Sequence, residues 1–410
     1  MTATDALETD VAVVGAGLAG SAAAVLLARQ GLRVAIVDPQ RTYPSDFRCE
    51  KLSGEQLALL TELGLVGPVL ARSTPVADEL VARGGRVVGL QTSGDRTLRY
   101  DTFVNSVRSA LPDSATFHEG RVEEIRSAAI RPSIRLSSGR EIEARIIVMA
   151  TGPGEKLRAG LGLKRRTVRS NHSISIDFDL VTTAGQRLSD RALIYYGERA
   201  GDGIAFATFF PLGDATRCNF FCHLDPKLLF VRMFRKRPLQ SVLEVMPGLK
   251  AVLGDAVVRG DAEIRITDLY ETDAPGRDGV VLIGDAQHAT CPVTGTGVTR
   301  VLTDVRQLCT RHIPAWLANA NGAIDASRIA EFYADPRKLA FDRKAAEKAE
   351  RDRLMSVSTA LPWRARRLVS LAKARLHTTA KRQGTAVLTL RGRATNEAPI
   401  MAGPPKMVGH

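Results

Sequence analysis

The sequence DVAVVGAGLAGSAAAVLLARQGLRVAIVD, from Asp10 to Asp38, predicts how the first part of the chain folds. Two short apolar runs typical of buried strands flank an alanine-rich segment typical of a helix. The turn before that helix has the pattern GxGxxG and consists of Gly15, Ala16, Gly17, Leu18, Ala19 and Gly20. Such a βαβ unit binds a dinucleotide: the helix start faces the pyrophosphate and the acid, here Asp38, binds a ribose. The alternative is a tight turn that binds nothing.

A second candidate ligand-binding stretch, VVLIGDAQHATCPVTGTGVTRVLTDVRQL, runs from Val280 to Leu308. Its first four residues suit a strand buried on both faces, and apolar spacing from Val298 onward predicts a helix. A helix start offers N–H groups to an anion, while Asp285 can accept hydrogen bonds from sugar-like hydroxyls. A flavin needs both features, at its ring edge and ribityl chain. The residues predicted to approach the ligand are Gly284, Asp285, Pro292, Gly295, Thr296, Gly297 and Val298.

Together the two stretches resemble FAD-dependent monooxygenases of the para-hydroxybenzoate hydroxylase type, whose fold is shared by geranylgeranyl reductases and flavin-dependent halogenases. The resemblance covers roughly residues 8 to 310. It implies FAD as the cofactor. It also places Arg48 along the FAD diphosphate and ribityl region, and Val122 where the backbone passes the adenine. For Arg48 the alternative is an ordinary surface arginine.

The order of predicted elements indicates an α/β protein with a Rossmann-like FAD-binding domain, an inserted antiparallel β-sheet substrate domain and a helical C-terminal region. Strands that follow one another without intervening helices, as they do after Ser170, form antiparallel sheets. The predicted boundaries are 1–169 for the first part of the FAD-binding domain, 170–265 for the substrate domain, 266–315 for the second part of the FAD-binding domain, 316–395 for the basic helical region and 396–410 for a flexible tail.

Aromatic residues concentrate in the predicted substrate sheet, and both of its faces are partly apolar. This pattern suits a sheet that packs on one side and roofs a pocket on the other, as the sheet does in the resembled family. The predicted pocket residues are Tyr195, Phe206, Phe209 and Phe210. The alternative is that most of these aromatics are core. Cys218 and Cys222 share a strand face, but no further cysteine or histidine pattern supports zinc, so no metal site is predicted.

The segment ATGPGEKLR, from Ala150 to Arg158, departs from the resembled family. Self-sufficient members carry an Asp-Gly motif there, linked to the handling of FAD and NAD(P)H, with a later serine and arginine. Thr151 stands in place of the aspartate, whereas Gly152 and Arg158 match. The electron source is therefore either NAD(P)H directly or a separate flavin reductase.

The resemblance implies a monooxygenase that inserts one oxygen atom from O2 into a hydrophobic, aromatic or polycyclic small molecule through a flavin C4a-hydroperoxide. Hydroxylation and epoxidation both remain open. His288, in the sequence GDAQH, is the candidate general base, and its alternative role is to structure the loop. Two other functions are a prenyl-type double-bond reductase and a non-catalytic flavin-fold binding protein. Halogenation is disfavoured because the sequence has no W-x-W-x-I-P segment.

Composition indicates an ordinary soluble globular protein, with 44% hydrophobic and 25% charged residues among 410. The polar opening MTATDALETD and the five scattered cysteines predict a cytoplasmic protein without a disulfide framework. The net charge of +13 arises largely after Leu361, so it does not indicate nucleic-acid binding. The basic amphipathic segment from Trp363 predicts a helix that contacts an anionic membrane surface, packs across the flavin domain or dimerises. Both a monomer and a homodimer fit.

Overall fold

The computed structural model describes residues 7–83, 86–273, 276–318 and 322–380. Its first part is built on a five-stranded sheet, called here the parallel sheet, in which every neighbouring pair runs parallel. Buried residues fill four of its five strands on both faces, as the continuous apolar runs predict, whereas the edge strand Ala115–Glu119 is only partly buried. The strand order is Val280–Leu282, Ile146–Met149, Val11–Val14, Val34–Asp38 and Ala115–Glu119.

The helix Leu18–Arg29 packs against the parallel sheet through two close backbone approaches. Gly15 has φ +95°, and a Cβ there would lie 2.5 Å from the carbonyl oxygen of Ala150. A Cβ on Gly20 would lie 1.9 Å from the carbonyl oxygen of Gly15. Only glycine fits at these two positions, so both residues serve the packing of the turn itself.

Seven strands form the second large sheet, called here the roof sheet. Every neighbouring pair is antiparallel except Ala192–Tyr196 with Glu79–Arg83. The strand order is Val257–Thr272, Arg165–Val181, Ala215–Cys222, Ile204–Leu212, Ala192–Tyr196, Glu79–Arg83 and Arg86–Gln91. One face packs on the helices between residues 229 and 253, and the other faces the parallel sheet's domain.

The predicted α/β fold class, with a Rossmann-like domain, an antiparallel sheet and C-terminal helices, is confirmed. Three of the four proposed domain boundaries fall inside helices or strands, and the fourth, after residue 395, lies outside the described residues. The strands Arg165–Val181 and Val257–Thr272 run through positions 170 and 265, and the hairpin Glu79–Arg83 to Arg86–Gln91 joins the roof sheet from within the predicted first domain. That hairpin joins the roof sheet by pairing with a strand more than 100 residues away in sequence. Boundaries predicted from local sequence patterns do not detect such long-range pairing.

Two small sheets and a set of helices complete the described part of the chain. The small sheets are formed by Leu7–Glu8, Glu141–Glu143, Ser133–Leu136 and Val122–Arg126, and by Cys49–Leu52, Arg96–Arg99 and Thr74–Pro75. The other helices are Gly54–Glu62, Val66–Leu70, Tyr100–Arg108, Lys156–Gly160, Leu229–Met233, Pro238–Val245, Leu249–Leu253, Gly297–Gln307, Leu308–His312, Ile313–Leu317, Ala326–Tyr333, Pro336–Val357 and Leu361–Ala380.

The C-terminal region is helical as far as it is described. The helix predicted from Trp363 is present as Leu361–Ala380, while the tail predicted at 396–410 lies outside the described residues. Within the described ranges, the structure has no helix with the length and apolar character needed to span a membrane.

The contrast between Gly20 and Gly17 gives a stability prediction. Gly20→Ala should lower the free energy of unfolding by about 1–3 kcal/mol, because its new methyl group collides with the Gly15 carbonyl. Gly17→Ala is the matched control, since no atom lies within 4 Å of a Cβ at that position. Urea unfolding of the two variants measures both values. Equal stabilities would contradict the packing described for this turn.

Candidate functional site

A cavity of about 1290 Å³ lies between the carboxyl edge of the parallel sheet, the loop that follows Val280–Leu282 and the roof sheet. Most of the residues predicted to bind a cofactor line it, although they come from distant parts of the sequence. Those residues are Gly15, Gly17, Leu18, Ala19, Asp38, Arg48, Gly284, Asp285, Pro292, Gly295, Gly297 and Val298.

Three of the predicted cofactor residues do not line the cavity. Gly20 packs against the Gly15 carbonyl. Val122 is buried in the hydrophobic cluster beneath the parallel sheet. The hydroxyl of Thr296 lies 2.7 Å from that of Thr294, and its residue precedes the helix Gly297–Gln307.

The helix start at Gly17 is open toward the cavity. Gly17 precedes the helix Leu18–Arg29 with φ −67°, so its backbone alone does not require glycine. No side chain caps this helix end, which leaves its first N–H groups available to an anion. Gly17 lines the cavity, and a side chain at this position would extend into open space.

Asp38 stands beside this turn in a fixed orientation. Its Oδ2 accepts a hydrogen bond from the N–H of Ala16 at 2.8 Å, and its Oδ1 accepts one from Gln40 N–H at 3.0 Å. Arg108, which the sequence analysis missed, donates from Nε to the carbonyl of Ala16 at 2.7 Å and lies 3.8 Å from Asp38. The helix that ends at Arg108 was expected from the sequence. Its contact with the glycine turn was not, because only tertiary packing brings the two together.

Arg48 is held at the cavity wall by neighbours on both sides. Its guanidinium donates to the Asp46 carboxylate at 2.9 Å and to the Tyr43 hydroxyl at 3.0 Å. The guanidinium carbon also lies 4.0 Å from the ring centroid of Tyr100. An ordinary surface arginine lacks such constraints, and a fixed, partly exposed guanidinium suits phosphate oxygens.

Asp285 projects its carboxylate into the cavity from the turn after Val280–Leu282. Within the described residues its side chain has no hydrogen-bond donor, whereas its carbonyl accepts one from the Tyr270 hydroxyl at 2.9 Å. Enclosure by the cavity walls raises the pKa of Asp285, and Arg300 and Arg48 lower it. The carboxylate is thus placed to accept hydrogen bonds from a ligand.

The arrangement fits FAD on four counts: a helix start with room beside Gly17 for a diphosphate, Asp38 for a ribose, Arg48 for phosphate oxygens, and Asp285 for ribityl hydroxyls. The helix Gly297–Gln307 points a second uncapped start at the same cavity. These residues would hold the cofactor between the two turns.

His288 does not reach this cavity. Its ring lies 3.8 Å from Asp342, and burial, Arg300 and Lys338 together hold the pKa of His288 well below its usual value. Its carbonyl accepts a hydrogen bond from Arg300 Nη1 at 2.8 Å. This position favours the alternative role of His288, which is to support the loop, over that of a general base.

Behind the loop lies the buried ion cluster, defined as Arg300, Asp304, Lys338 and Asp342. Lys338 Nζ contacts Asp304 at 3.1 Å and Asp342 at 3.0 Å, and Arg300 lies 3.5 Å from Asp304. These pairs join the helix Gly297–Gln307 to the C-terminal helix Pro336–Val357. Removing one partner of such a buried pair leaves an uncompensated charge, so the cluster specifies how the helices dock.

The roof sheet presents two rows of side chains to the cavity. The aromatic row consists of Tyr196, Phe206 and Phe221, whose neighbouring ring centroids lie 5.8 and 5.1 Å apart. The polar row consists of Thr208, Asn219 and Asp177, which are cross-strand partners. All six residues line the cavity. One row therefore offers ring surfaces, and the next offers hydrogen-bonding groups.

Two of the four predicted pocket residues point the other way. Phe206 and Phe210 line the cavity, but Tyr195 and Phe209 are fully buried among the helices on the opposite face. Alternation along a strand separates the two sets, so the prediction placed residues from both faces in the pocket. Tyr196 and Phe221 line the cavity in their place.

Thr151 and Gly152 line the cavity near the start of Leu18–Arg29. Arg158 is fully buried and donates from Nη2 to Glu155 at 3.0 Å. The segment that departs from the resembled family thus lies at the cofactor end of the cavity.

Gly17→Val should abolish retention of FAD, because its side chain would occupy the diphosphate path. Visible absorption of the purified protein near 450 nm, an approximate flavin wavelength, reports the bound cofactor. The overall fold should be kept, since nothing lies within 4 Å of a Cβ there and the cost of valine at a helix N-cap is about 1 kcal/mol. A yellow variant with full cofactor occupancy would show that the site is misplaced.

Asp285→Ala should weaken FAD binding by roughly 1–3 kcal/mol, because ribityl hydroxyls would lose their acceptor. The dissociation constant comes from quenching of FAD fluorescence on titration with apoprotein. Asp273→Ala, on the exposed turn after Val257–Thr272 and outside the cavity, is the comparison that removes a nearby carboxylate. A variant at Asp285 with unchanged affinity would remove this residue from the site.

Comparisons with known proteins agree with this geometry. Ubiquinone hydroxylase UbiL of Rhodospirillum rubrum is 25% identical over 338 residues, which cover 75% of this chain and 72% of the relative. Kynurenine 3-monooxygenase of Salinispora arenicola is 28% identical over 328 residues, which cover 72% and 70%. Both are similar in sequence over most of their length.

Solved structures share the fold. p-Nitrophenol 4-monooxygenase PnpA from Pseudomonas putida has a TM-score of 0.71 at 18% identity and covers 92% of this chain and 95% of its own. PqsL from Pseudomonas aeruginosa has a TM-score of 0.62 at 20% identity, with 84% and 96% covered. The family model described as "FAD binding domain" matches residues 8–313. The resemblance inferred from sequence is thereby confirmed, and the chain belongs to this family of FAD-dependent oxidoreductases, those of the para-hydroxybenzoate hydroxylase type.

Proposed function

We propose that this protein is an FAD-dependent monooxygenase that hydroxylates an aromatic small molecule. The observation that carries the proposal is the continuity of the cavity, in which the cofactor residues and the aromatic row face the same space. A substrate ring lying against Phe206 and Phe221 would share that space with the flavin. The sequence relatives named above act on ring compounds according to their names, which supports an aromatic substrate.

Each part of the cavity has a separate task in this proposal. FAD supplies the activation of O2 when it is bound. The uncapped start of Gly297–Gln307 stabilises negative charge beside the loop. The roof sheet covers the substrate and excludes water, and its aromatic row stacks on the substrate ring. Epoxidation would also require the roof sheet to shield the substrate from water. The aromatic row stacks best on a flat ring, so it favours hydroxylation of an aromatic substrate.

Electrons come from NAD(P)H, either directly or through a separate flavin reductase. Thr151 lies at the cofactor end of the cavity where the resembled enzymes carry an aspartate, which favours the separate reductase. The same proposal includes the division into an FAD-binding and a substrate domain and a cytoplasmic location. It also includes peripheral membrane contact through the basic helix Leu361–Ala380, and a monomeric or homodimeric state.

Isotope labelling tests the reaction. The protein is incubated with FAD, NADH or NADPH, a flavin reductase and a panel of aromatic compounds under ¹⁸O2. We expect one product that carries a single ¹⁸O atom, detected by mass spectrometry, and no such product with Gly17→Val. A parallel incubation in H2¹⁸O with ordinary O2 should leave the product unlabelled.

Three outcomes would contradict the proposal. Label that enters from water excludes oxygen transfer from O2. Turnover that proceeds without oxygen indicates a double-bond reductase. A purified protein that neither contains nor binds FAD indicates a binding protein without redox chemistry.

A further inference from the structure

A basic segment outside the cavity forms a surface that the proposed reaction does not use. It is DPKLLFVRMFRKRPLQ, from Asp225 to Gln240, and five of its residues are lysine or arginine. It contains the helix Leu229–Met233, and backbone hydrogen bonds of the helical turn continue as far as Arg237. Its single acid, Asp225, accepts a hydrogen bond from the backbone N–H of Lys227 at 2.8 Å. The segment therefore carries a local excess of positive charge.

Helical spacing divides this segment into an inner and an outer face. On the inner face, Val231 and Phe234 are buried in the apolar core between the roof sheet and its helices, and Phe230 packs against that core. The ring centroid of Phe234 lies 5.0 Å from that of Phe220 in the sheet. These contacts anchor the segment without the two leucines that precede Phe230.

The outer face, called here the basic leucine face, combines apolar and basic side chains. Its members follow the spacing i, i+1, i+4, i+7 and i+8, which places them on one side of a helical turn. They are Leu228, Leu229, Arg232, Arg235 and Lys236, and all five are exposed. Leu228 is 46% exposed and Leu229 is 72% exposed. Two neighbouring leucines thus face solvent among three cations.

The cations of this face are not neutralised by neighbouring acids. In the part of the chain that the structure describes, none of Arg232, Arg235 and Lys236 forms an ion pair with an acid. Arg237, which lies to the side of the face, does have such a neighbour, because its guanidinium lies 3.6 Å from Glu244. The three cations of the face are therefore available to an external anion.

A groove of about 340 Å³ lies beside the basic leucine face. Its lining combines Arg235 and Lys236 with apolar residues, among them Leu239 and Val257, and includes the acid Asp261. Val257 is 42% exposed. Cations and apolar surface thus continue beyond the face itself.

We propose that the basic leucine face docks the protein on an anionic lipid bilayer. Leu228 and Leu229 enter the boundary between headgroups and acyl chains, and the three cations contact lipid phosphates. Charge complementarity carries the inference, because a bilayer rich in acidic lipids attracts cations and accepts apolar side chains about 5–10 Å deep. A nucleic acid would engage the cations through its phosphates but would leave the leucines in water.

This surface is distinct from the helix Leu361–Ala380, to which the proposed function assigns membrane contact. That helix packs on the strand Arg86–Gln91, at one edge of the roof sheet. The groove beside the basic leucine face is lined by the start of Val257–Thr272, the strand at the opposite edge. The two surfaces can therefore be altered separately.

Co-sedimentation with lipid vesicles tests the assignment without turnover. The FAD-loaded full-length protein is mixed with vesicles of phosphatidylcholine alone, or of phosphatidylcholine and phosphatidylglycerol in equal parts. Flavin absorption of the pellet measures the bound protein. We expect binding to the anionic vesicles only, with a loss at about 1 M salt, where the Debye length is about 3 Å.

Arg235→Gln combined with Lys236→Gln should raise the dissociation constant for anionic vesicles about tenfold or more, because two cations leave the contact. The charge-matched control is Arg343→Gln combined with Lys344→Gln, which alters two exposed cations on the helix Pro336–Val357. This control lowers the net charge by the same amount and should change the dissociation constant about twofold or less.

Leu229→Ser should raise the same dissociation constant about fivefold or more, because an aliphatic side chain no longer enters the bilayer. Its matched control is Leu361→Ser, which alters a leucine that is 76% exposed at the start of Leu361–Ala380. Any effect of this control reports that helix and not the basic leucine face. All the substituted side chains are exposed, and flavin absorption shows that each variant is folded.

Failure of the wild-type protein to bind anionic vesicles would overturn the proposal. Equal weakening by the two double variants would also overturn it, because net charge alone would then explain binding. A loss in Leu361→Ser without one in Leu229→Ser would assign the contact to the C-terminal helix instead. A loss confined to Arg235→Gln with Lys236→Gln would indicate an acidic protein or a nucleic acid as the partner. Because no turnover is measured, these outcomes are independent of the ¹⁸O2 experiment.

Discussion

The structure depends on one constraint, the parallel pairing of the strand Ile146–Met149 with both of its neighbours. Met149 is the register partner of Val14 on one side and of Leu282 on the other. The chain therefore leaves the two neighbouring strands, Val11–Val14 and Val280–Leu282, at the same level and at the same edge of the sheet. This register brings the first glycine turn and the Asp285 turn to one cavity, although they lie near opposite ends of the family-matched region.

The roof sheet and the C-terminal helices complete the cavity by packing against this edge. The roof sheet has an apolar face for its own helices and a mixed face for the cavity, so one sheet both stabilises its domain and shapes the site. The buried ion cluster fixes Pro336–Val357 against Gly297–Gln307, and Lys348 donates to the carbonyl of Thr294 at 2.7 Å. The C-terminal region is thus part of the wall around the loop.

Features that depend on local sequence could be predicted. The glycine turn, the two strand–turn–helix units, the presence of an antiparallel sheet and the positions of Asp38 and Asp285 follow from patterns within a few dozen residues, whereas the position of Arg48 follows from the family resemblance. The structure places these three charged residues on one cavity. Local patterns also predicted the helix Leu361–Ala380, because a basic amphipathic segment is recognisable without its neighbours.

Features that depend on register and on distant partners could not be predicted. Strand alternation groups Tyr195 with Phe209 and separates them from Phe206, but the sequence does not show which group faces the cavity. An irregularity between Ile204 and Phe206 further shifts the register of that strand. Arg108 gained its role through contact with a turn far away in sequence.

The most direct test of this account is an experimental structure of the protein with FAD bound. The account predicts a single FAD that spans both turns, with its diphosphate at the start of Leu18–Arg29 and its ribityl chain beside Asp285. FAD bound at only one of the two turns, or outside the cavity they enclose, would contradict it.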